Sequence, residues 1–370
     1  ALQPILAGFG EQCPGVQIDV TYVPSGQLVA RLQEVAQTGR RPDLFMGPHY
    51  LTAQLLQNDL IQPISDRVDP ALRGAYLPKT MAAFTHGDDL YGLPQSMDVM
   101  ALYYNTELVS DPVSSLDDLL AATNADTRVI LDSSFAGAFW GLSAFGGRLF
   151  NPQGQLIPEQ AGFVEWLTWL QKARTQPGVL LSADAAKARQ LFADEQVAYL
   201  VAGPTALPVL RERLGGRVRV VELPAGPAGD AAPLLRVDGF FFSPGDDERV
   251  ARALALAQYI SSAANQTLLR QSALLVPTQQ AAVDATDDSA ILTFIRQAQQ
   301  TAVLPPPAHE LMMLERGNRI YRQLFAGELE PSGAVEQLID VVDTESKATE
   351  GEAADNRVST VQPAVGDKQK

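Results

Sequence analysis

The chain has 370 residues, more than one ordinary hydrophobic core organises, so two lobes are expected. With 46% hydrophobic and 19% charged residues, the composition is that of a folded globular protein and excludes disorder of the whole. A net charge of −15 without any cluster of Lys and Arg excludes nucleic acid as a partner, because phosphate binding needs grouped cations that release counterions.

In chain order, Leu2 to about Gln12 reads as an amphipathic helix, Pro14-Gly15 as a turn, and the alternation of Val16, Ile18, Val20 and Tyr22 as a strand. A helix from Gly26 to about Thr38, a short buried strand over Arg41–Met46 and a short helix over Leu51–Asn58 follow. The run Tyr91–Asn105 is too long for one typical strand, and Gly92 and Pro94 disfavour a helix at its start. It reads as an extended segment passing between lobes. Ser114 or Ser115 caps a helix to Ala122, with Asp117 and Asp118 at the positive end of its dipole.

Val129–Leu131 reads as a strand and Phe163–Thr175 as a helix whose Trp166 and Trp169 form a core stripe with Phe163 and Leu170. A helix over Ala183–Ala193, buried strands at Val197–Val201 and Arg217–Val221, a mobile surface loop over Pro224–Pro233 and a second extended connection over Arg236–Ser243 come next. Helices then dominate, over Asp247–Ser261, Asn265–Gln271, Ser289–Gln300, Glu310–Phe325 and Gly333–Val342. After Thr344 the polar, aperiodic sequence reads as a disordered tail or linker. Strands alternating with helices imply α/β lobes with parallel sheets, whose strand ends form binding territory.

Cys13 is the one cysteine, so neither an intrachain disulfide nor a multi-cysteine metal site is expected. With His49, His86 and His309 scattered, it reads as a small buried apolar residue. No cofactor and no metal are expected. No run of about 18 apolar residues occurs. Because Ala1–Leu6 already reads as the start of a helix, export or anchoring information is expected upstream of it.

From Leu90-Tyr91-Gly92-Leu93-Pro94 through Tyr103-Tyr104-Asn105-Thr106-Glu107-Leu108, the sequence resembles the family 1 extracellular solute-binding proteins, the maltose/maltodextrin-type binders. The same order of landmarks continues through Pro42-Asp43-Leu44, Gly146-Gly147, Phe192–Ala198, Gly203-Pro204 and Leu223-Pro224. The resemblance implies a two-lobed, periplasmic-binding-protein-like (type II) clamshell with discontinuous lobes. Residues 1–97 with 241–300 form the first lobe and 98–240 with 301–343 the second, joined by crossovers near 96–102, 236–241 and 300–305, with 344–370 as the tail. It also implies a monomeric, extracytoplasmic protein that captures a small ligand, most simply a sugar, and delivers it to the transmembrane subunits of an ABC permease. Two departures narrow this expectation. The strand that usually precedes the first helix is missing, and two cleft positions that are aromatic in the maltose binder align with Thr205 and Glu315.

Sugar sites combine aromatic faces with acidic and amide groups. Asp98 matches an acidic ligand-binding position of the family, and as a carboxylate in an apolar run it needs a hydrogen-bonding partner; capping of local amides is the alternative. Arg236 and Asp238 share a strand face, with a mutual salt bridge as the plain reading. Ser25, His49 and Tyr50 lie on first-lobe loops, where ordinary turn chemistry competes with binding. Ser134, Phe135 and Phe139 align with second-lobe sugar contacts, core packing being the alternative for the two rings. Thr205 completes the set with Glu315, which could instead pair with Arg319 one helical turn away. Asp98 with Asp238 is also the one carboxylate pair a glycoside-cleaving enzyme could use. A ligand-sensing ectodomain of a membrane-anchored protein would share the fold.

Overall fold

The computed structural model describes residues 2–149, 162–304 and 307–340; the tail expected from residue 344 lies outside them. Among the described residues the strands are β1 (Leu44–Pro48), β2 (Thr85–His86), β3 (Asp89–Leu90), β4 (Gly92–Asp98), β5 (Ala101–Asn105), β6 (Val129–Asp132), β7 (Val179–Ser182), β8 (Tyr199–Ala202), β9 (Val218–Val221), β10 (Arg236–Phe242) and β11 (Val276–Pro277). One sheet has the order β1-β10-β4-β11 and the other β7-β6-β8-β5-β9, with β2 and β3 forming a separate hairpin. The run Tyr91–Asn105 therefore does pass between sheets: β4 belongs to the first, β5 to the second, and Val99 and Met100 link them.

Parallel pairing occurs at β6 with β7 and β8. Every neighbour in the first sheet is antiparallel, contrary to the parallel sheets expected from the alternation of elements. The cause is the crossovers. A strand leaving a lobe (β4) lies beside one entering it (β10), and two such strands run in opposite directions. A third passage runs alongside, where Leu235 N donates to Val303 O and Val303 N to Pro233 O, both at 2.8 Å.

The expected helices form, several with the caps their sequences provide. Ser115 accepts from Asp118 N, Asp184 from Ala186 N and Lys187 N, and Asp246 from Arg249 N, each satisfying amides that a first turn leaves open. The strand expected at Val16–Tyr22 does not form. The segment joins no sheet among the described residues, β1 remains the edge of its own, and Val20 and Tyr22 are exposed. Alternation gives a strand its shape, but a ladder needs a neighbour. Cys13 is half-buried rather than buried, since it ends the helix Leu2–Gln12 where this exposed segment begins. The loop over Pro224–Pro233 is less open than expected: Ala231 and Ala232 are buried, and Ala232 N donates to Trp140 O.

Two apolar cores follow. The first collects Phe84, Phe240, Phe241, Phe242 and Leu254 under the first sheet and continues across to Phe192, Leu207 and Phe294. The second gathers Trp140, Phe163, Trp166 and Tyr321, with Trp169 stacked on Trp166, so the tryptophan stripe is core, as its helical spacing predicted. The helix Ser289–Gln300 packs on β4 and β11 of one sheet and on β5 and β9 of the other.

The β10–β4 register rests on bare backbone. A Cβ at Gly239 would lie 2.4 Å from Leu93 O and 2.5 Å from Phe84 Cζ, so any side chain there pries the strands apart. Gly239→Ala is expected to lower stability by about 1–3 kcal/mol, the usual range for overpacking a filled core, read as a lower urea midpoint at unchanged slope.

Candidate functional site

Asp98 ends β4 and Arg236 begins β10, and the antiparallel register sets them directly opposite. Arg236 Nη2 donates to Asp238 Oδ2 at 3.1 Å and forms an ion pair with Asp98 Oδ2 at 3.0 Å. The same-face reading of Arg236 and Asp238 therefore holds, and so does the salt bridge between them. The triad stays open to solvent. The side chains retain 43% (Arg236), 18% (Asp98) and 20% (Asp238) of their exposure.

The second sheet closes on this group from the other side. A Cβ at Gly203, just after β8, would lie 2.4 Å from Asp98 Oδ1, so the carboxylate rests against bare second-lobe backbone. The Tyr103 hydroxyl of β5 donates to Gly203 O at 2.8 Å and fixes that backbone. Thr205 is exposed on the following 3-10 turn.

On the first-lobe side, His49 is fully buried and its Nδ1 accepts from Val237 N at 3.1 Å. The imidazole thus ties the turn His49–Leu51 to β10 between the two charged positions, which makes it a positioning group rather than an open ligand contact. Tyr50 is half-buried, with its ring 6.0 Å from that of His49. Ser25 opens the 3-10 turn Ser25–Gln27; its side chain lies outside the described part.

The second-lobe candidates gather elsewhere. Ser134 caps the short helix Phe135–Ala138 by accepting from Gly137 N at 3.1 Å. It lines an open cavity of about 460 Å³ with Ser133, Ala183, Asn318, Arg322 and Phe325, at the carboxyl ends of the parallel strands β6 and β7, where such sheets present ligand sites. Phe135 and Phe139 do not face a cleft. They are 0% and 3% exposed, and Phe135 packs its ring on Phe139 and Tyr321. Gly317 permits this, since a Cβ there would lie 2.4 Å from Phe135 Cγ. Glu315 is exposed on the helix Pro307–Ala326, which touches both His49–Leu51 and Phe135–Ala138 and so bridges the lobes.

Two residues of consequence escaped the sequence reading. Asn318 Oδ1 accepts from Phe135 N at 2.9 Å and anchors the second-lobe wall. Gln95 sits where the β4 register skips a residue: Asp238 pairs with Ser96 but Gly239 with Pro94. Its side chain is buried, and neither Nε2 nor Oε1 has a hydrogen-bond partner among the described residues. A glutamine one residue after the Gly-x-Pro element was visible, but nothing local showed that a bulge falls there.

A sequence model of the bacterial extracellular solute-binding proteins matches residues 5–293. The chain belongs to that family. The solved GacH receptor of Streptomyces glaucescens, studied unliganded and with acarbose, superposes with a TM-score of 0.81 at 22% identity, covering 91% of this chain and 92% of that one. A cyclo/maltodextrin-binding protein complexed with maltotetraose gives 0.79 at 23% identity, covering 93% and 92%. These likenesses show the two-lobed type II binding-protein fold. Among curated relatives, a maltotriose-binding protein of Pyrococcus abyssi is 26% identical over 117 residues, 32% of this chain and 25% of that protein. A binding protein of Brucella abortus is 21% identical over 252 residues, 61% of this chain and 60% of that one. The matches thus span a quarter and 60% of those relatives' lengths.

In this solute-binding protein the electrostatics of the triad are uneven. Burial pushes the Asp98 carboxyl above its ordinary range; Arg236 pulls it back down and Asp238 adds to the rise. Burial alone would lower Arg236, but Asp98, Asp238 and Tyr50 hold it above its usual value. Because the folded Asp98 holds its proton to higher pH than the unfolded chain does, this group's contribution to stability falls as pH rises through its range. Asp98→Asn removes that slope. Its stability relative to the parent is expected to improve as pH rises above the ordinary carboxylate range near pH 4, measured by urea unfolding across pH; a flat or opposite difference refutes the assignment.

Proposed function

We propose that the chain is an extracytoplasmic receptor that captures a sugar or similarly hydroxyl-rich ligand between its lobes and presents the closed form to the transmembrane subunits of an ABC importer. Family membership supports capture of a solute. The sugar assignment draws on relatives whose names or structures concern maltotriose, maltotetraose and acarbose. In the same reading the first lobe comprises the β1-β10-β4-β11 sheet with its helices and the second the β7-β6-β8-β5-β9 sheet with the helix Pro307–Ala326, so that β10 from Arg236 onward belongs to the first.

The observation that carries the proposal is the Asp98–Arg236–Asp238 triad at the mouth of the crossover strands, with Gly203 of the other lobe against Asp98. A ligand on the triad touches both lobes when they meet and one when they part, and that difference selects the closed form. Val99–Met100, the Pro233–Leu235 passage and the segment bridged to it at Val303 are the links about which the lobes rotate.

The expected result is a rise in melting temperature with a carbohydrate or polyol, since ligand at about 100 times its dissociation constant adds roughly 2.7 kcal/mol, together with a smaller radius of gyration by solution scattering. No stabilisation and no closure across mono- and oligosaccharides and polyols would overturn the proposal. With a ligand in hand, Gly203→Ala is expected to weaken binding about tenfold, on the order of 1.4 kcal/mol. The backbone there, φ −78° and ψ 175°, suits alanine, so any loss of stability comes from displacing the Asp98 carboxylate that the added methyl meets.

A further inference from the structure

The polar groups at the triad are mixed in a way that selects ligand chemistry. Arg236 uses Nη2 for both carboxylates, and its Nε is buried with no hydrogen-bond partner among the described residues. Guanidinium offers five N–H donors in a fixed fork, and each carboxylate accepts more than one hydrogen bond. Spare donors and spare acceptors therefore stand within one cluster. An anion would meet two carboxylates and a cation would meet the guanidinium. A hydroxyl, which both donates and accepts, suits the cluster as it stands.

Gln95 extends the pattern. It is 3% exposed and both ends of its amide lack partners among the described residues, an arrangement that is uncommon in folded proteins because each orphan group bears its full loss of hydration. It occupies the bulge of β4 next to Ser96, the residue opposite Asp238, and bulges beside binding sites redirect side chains.

Among the described residues aromatic platforms, by contrast, are scarce. Trp140, Trp166, Phe135, Phe139 and Tyr103 are buried in the cores. At the two polar surfaces described above, Tyr50 beside Arg236 and Phe325 in the second-lobe cavity keep partial exposure, one on each lobe. A glucan chain gains affinity from each aromatic face on which one of its rings packs, and two separated rings give no such track. Hydrogen bonds to charged groups, worth about 1.5–3 kcal/mol each, concentrate recognition at one ring.

Building on the sugar-receptor reading, we infer that the ligand is a neutral, hydroxyl-dense molecule of one or two rings, or an open-chain polyol, gripped by Asp98, Arg236, Asp238 and the Gln95 amide rather than stacked along an aromatic groove. Gln95 is then a specificity residue. Its orphan amide is held ready for a ligand hydroxyl.

The test is calorimetric titration and thermal shift of the full chain with monosaccharides, disaccharides, alditols, maltotriose and maltotetraose, alongside Gln95→Met. The inference expects a mono- or disaccharide or an alditol to bind at least as tightly as maltotetraose. It expects Gln95→Met, which fills the same space without polar atoms, to melt higher than the parent while losing about tenfold or more in affinity for that ligand. Affinity climbing with glucan length would overturn the inference and leave the sugar-receptor reading intact. Unchanged affinity in a Gln95→Met protein that melts as high as the parent would remove Gln95 from the site. Failure of every carbohydrate and polyol to bind would overturn the reading beneath it.

Discussion

The guanidinium of Arg236 between Asp98 and Asp238 is the interaction on which the rest of the cleft depends. Asp98 on β4 and Asp238 on β10 repel each other and lose solvation, and one cation, Arg236 of β10 opposite Asp98, makes the pair tolerable. That cation is in place only because β4 and β10 approach closely, which Gly92 and Gly239 allow by leaving Phe84 room to seat against them. The register that holds the first sheet together therefore also aims the charged groups. A shift of one residue would turn Asp98 toward the core, where Met97 now sits.

The lobes are linked by few covalent passages yet share apolar surface. The helix Ser289–Gln300 lies on both sheets, and Lys79, from the first lobe, donates from Nζ to Ala298 O and Ala302 O at the end of that helix. Cations at a helix C-terminus satisfy carbonyls the last turn leaves open. This contact holds the helix end steady just before the chain crosses at Val303. Motion between lobes is therefore best accommodated by the extended links themselves, where few buried side chains have to part. The helix Pro307–Ala326 reaches across the opposite side of the opening, from Phe135 to the turn at His49.

Much of this was legible because it is local. Caps at Ser115, Asp184 and Asp246 were encoded within a few residues of the amides they satisfy, and Asp98, Arg236 and Asp238 stood out as charges inside apolar extended runs. What failed depended on distant neighbours. Val16–Tyr22 has the alternation of a strand but joins no sheet among the described residues, and Phe135 and Phe139, four apart, turned to the core because Gly317 lets a remote helix come close. Gln95, Gly203 and Asn318 matter through a bulge, a close approach and a long-range hydrogen bond. None of these has a signature in its own segment. Ser134 stood out in the sequence as a second-lobe candidate, and the structure gathers it with Asn318 and Arg322 rather than with the triad.

Charge links the cleft to the whole molecule. The chain carries −15 overall and the triad sums to one negative charge, so at low ionic strength the field around the opening disfavours anions before any contact is made. At physiological salt that field fades within about 8 Å, and discrimination passes to the triad itself. There a cation would compete with Arg236 for the same carboxylates and break the arrangement that positions them, whereas a neutral hydroxyl compound adds hydrogen bonds and leaves the ion pairs standing. In the proposed site the ion pairs are a rigid frame for a ligand to complete, and the entropy lost in ordering those three side chains is already spent in the ligand-free fold.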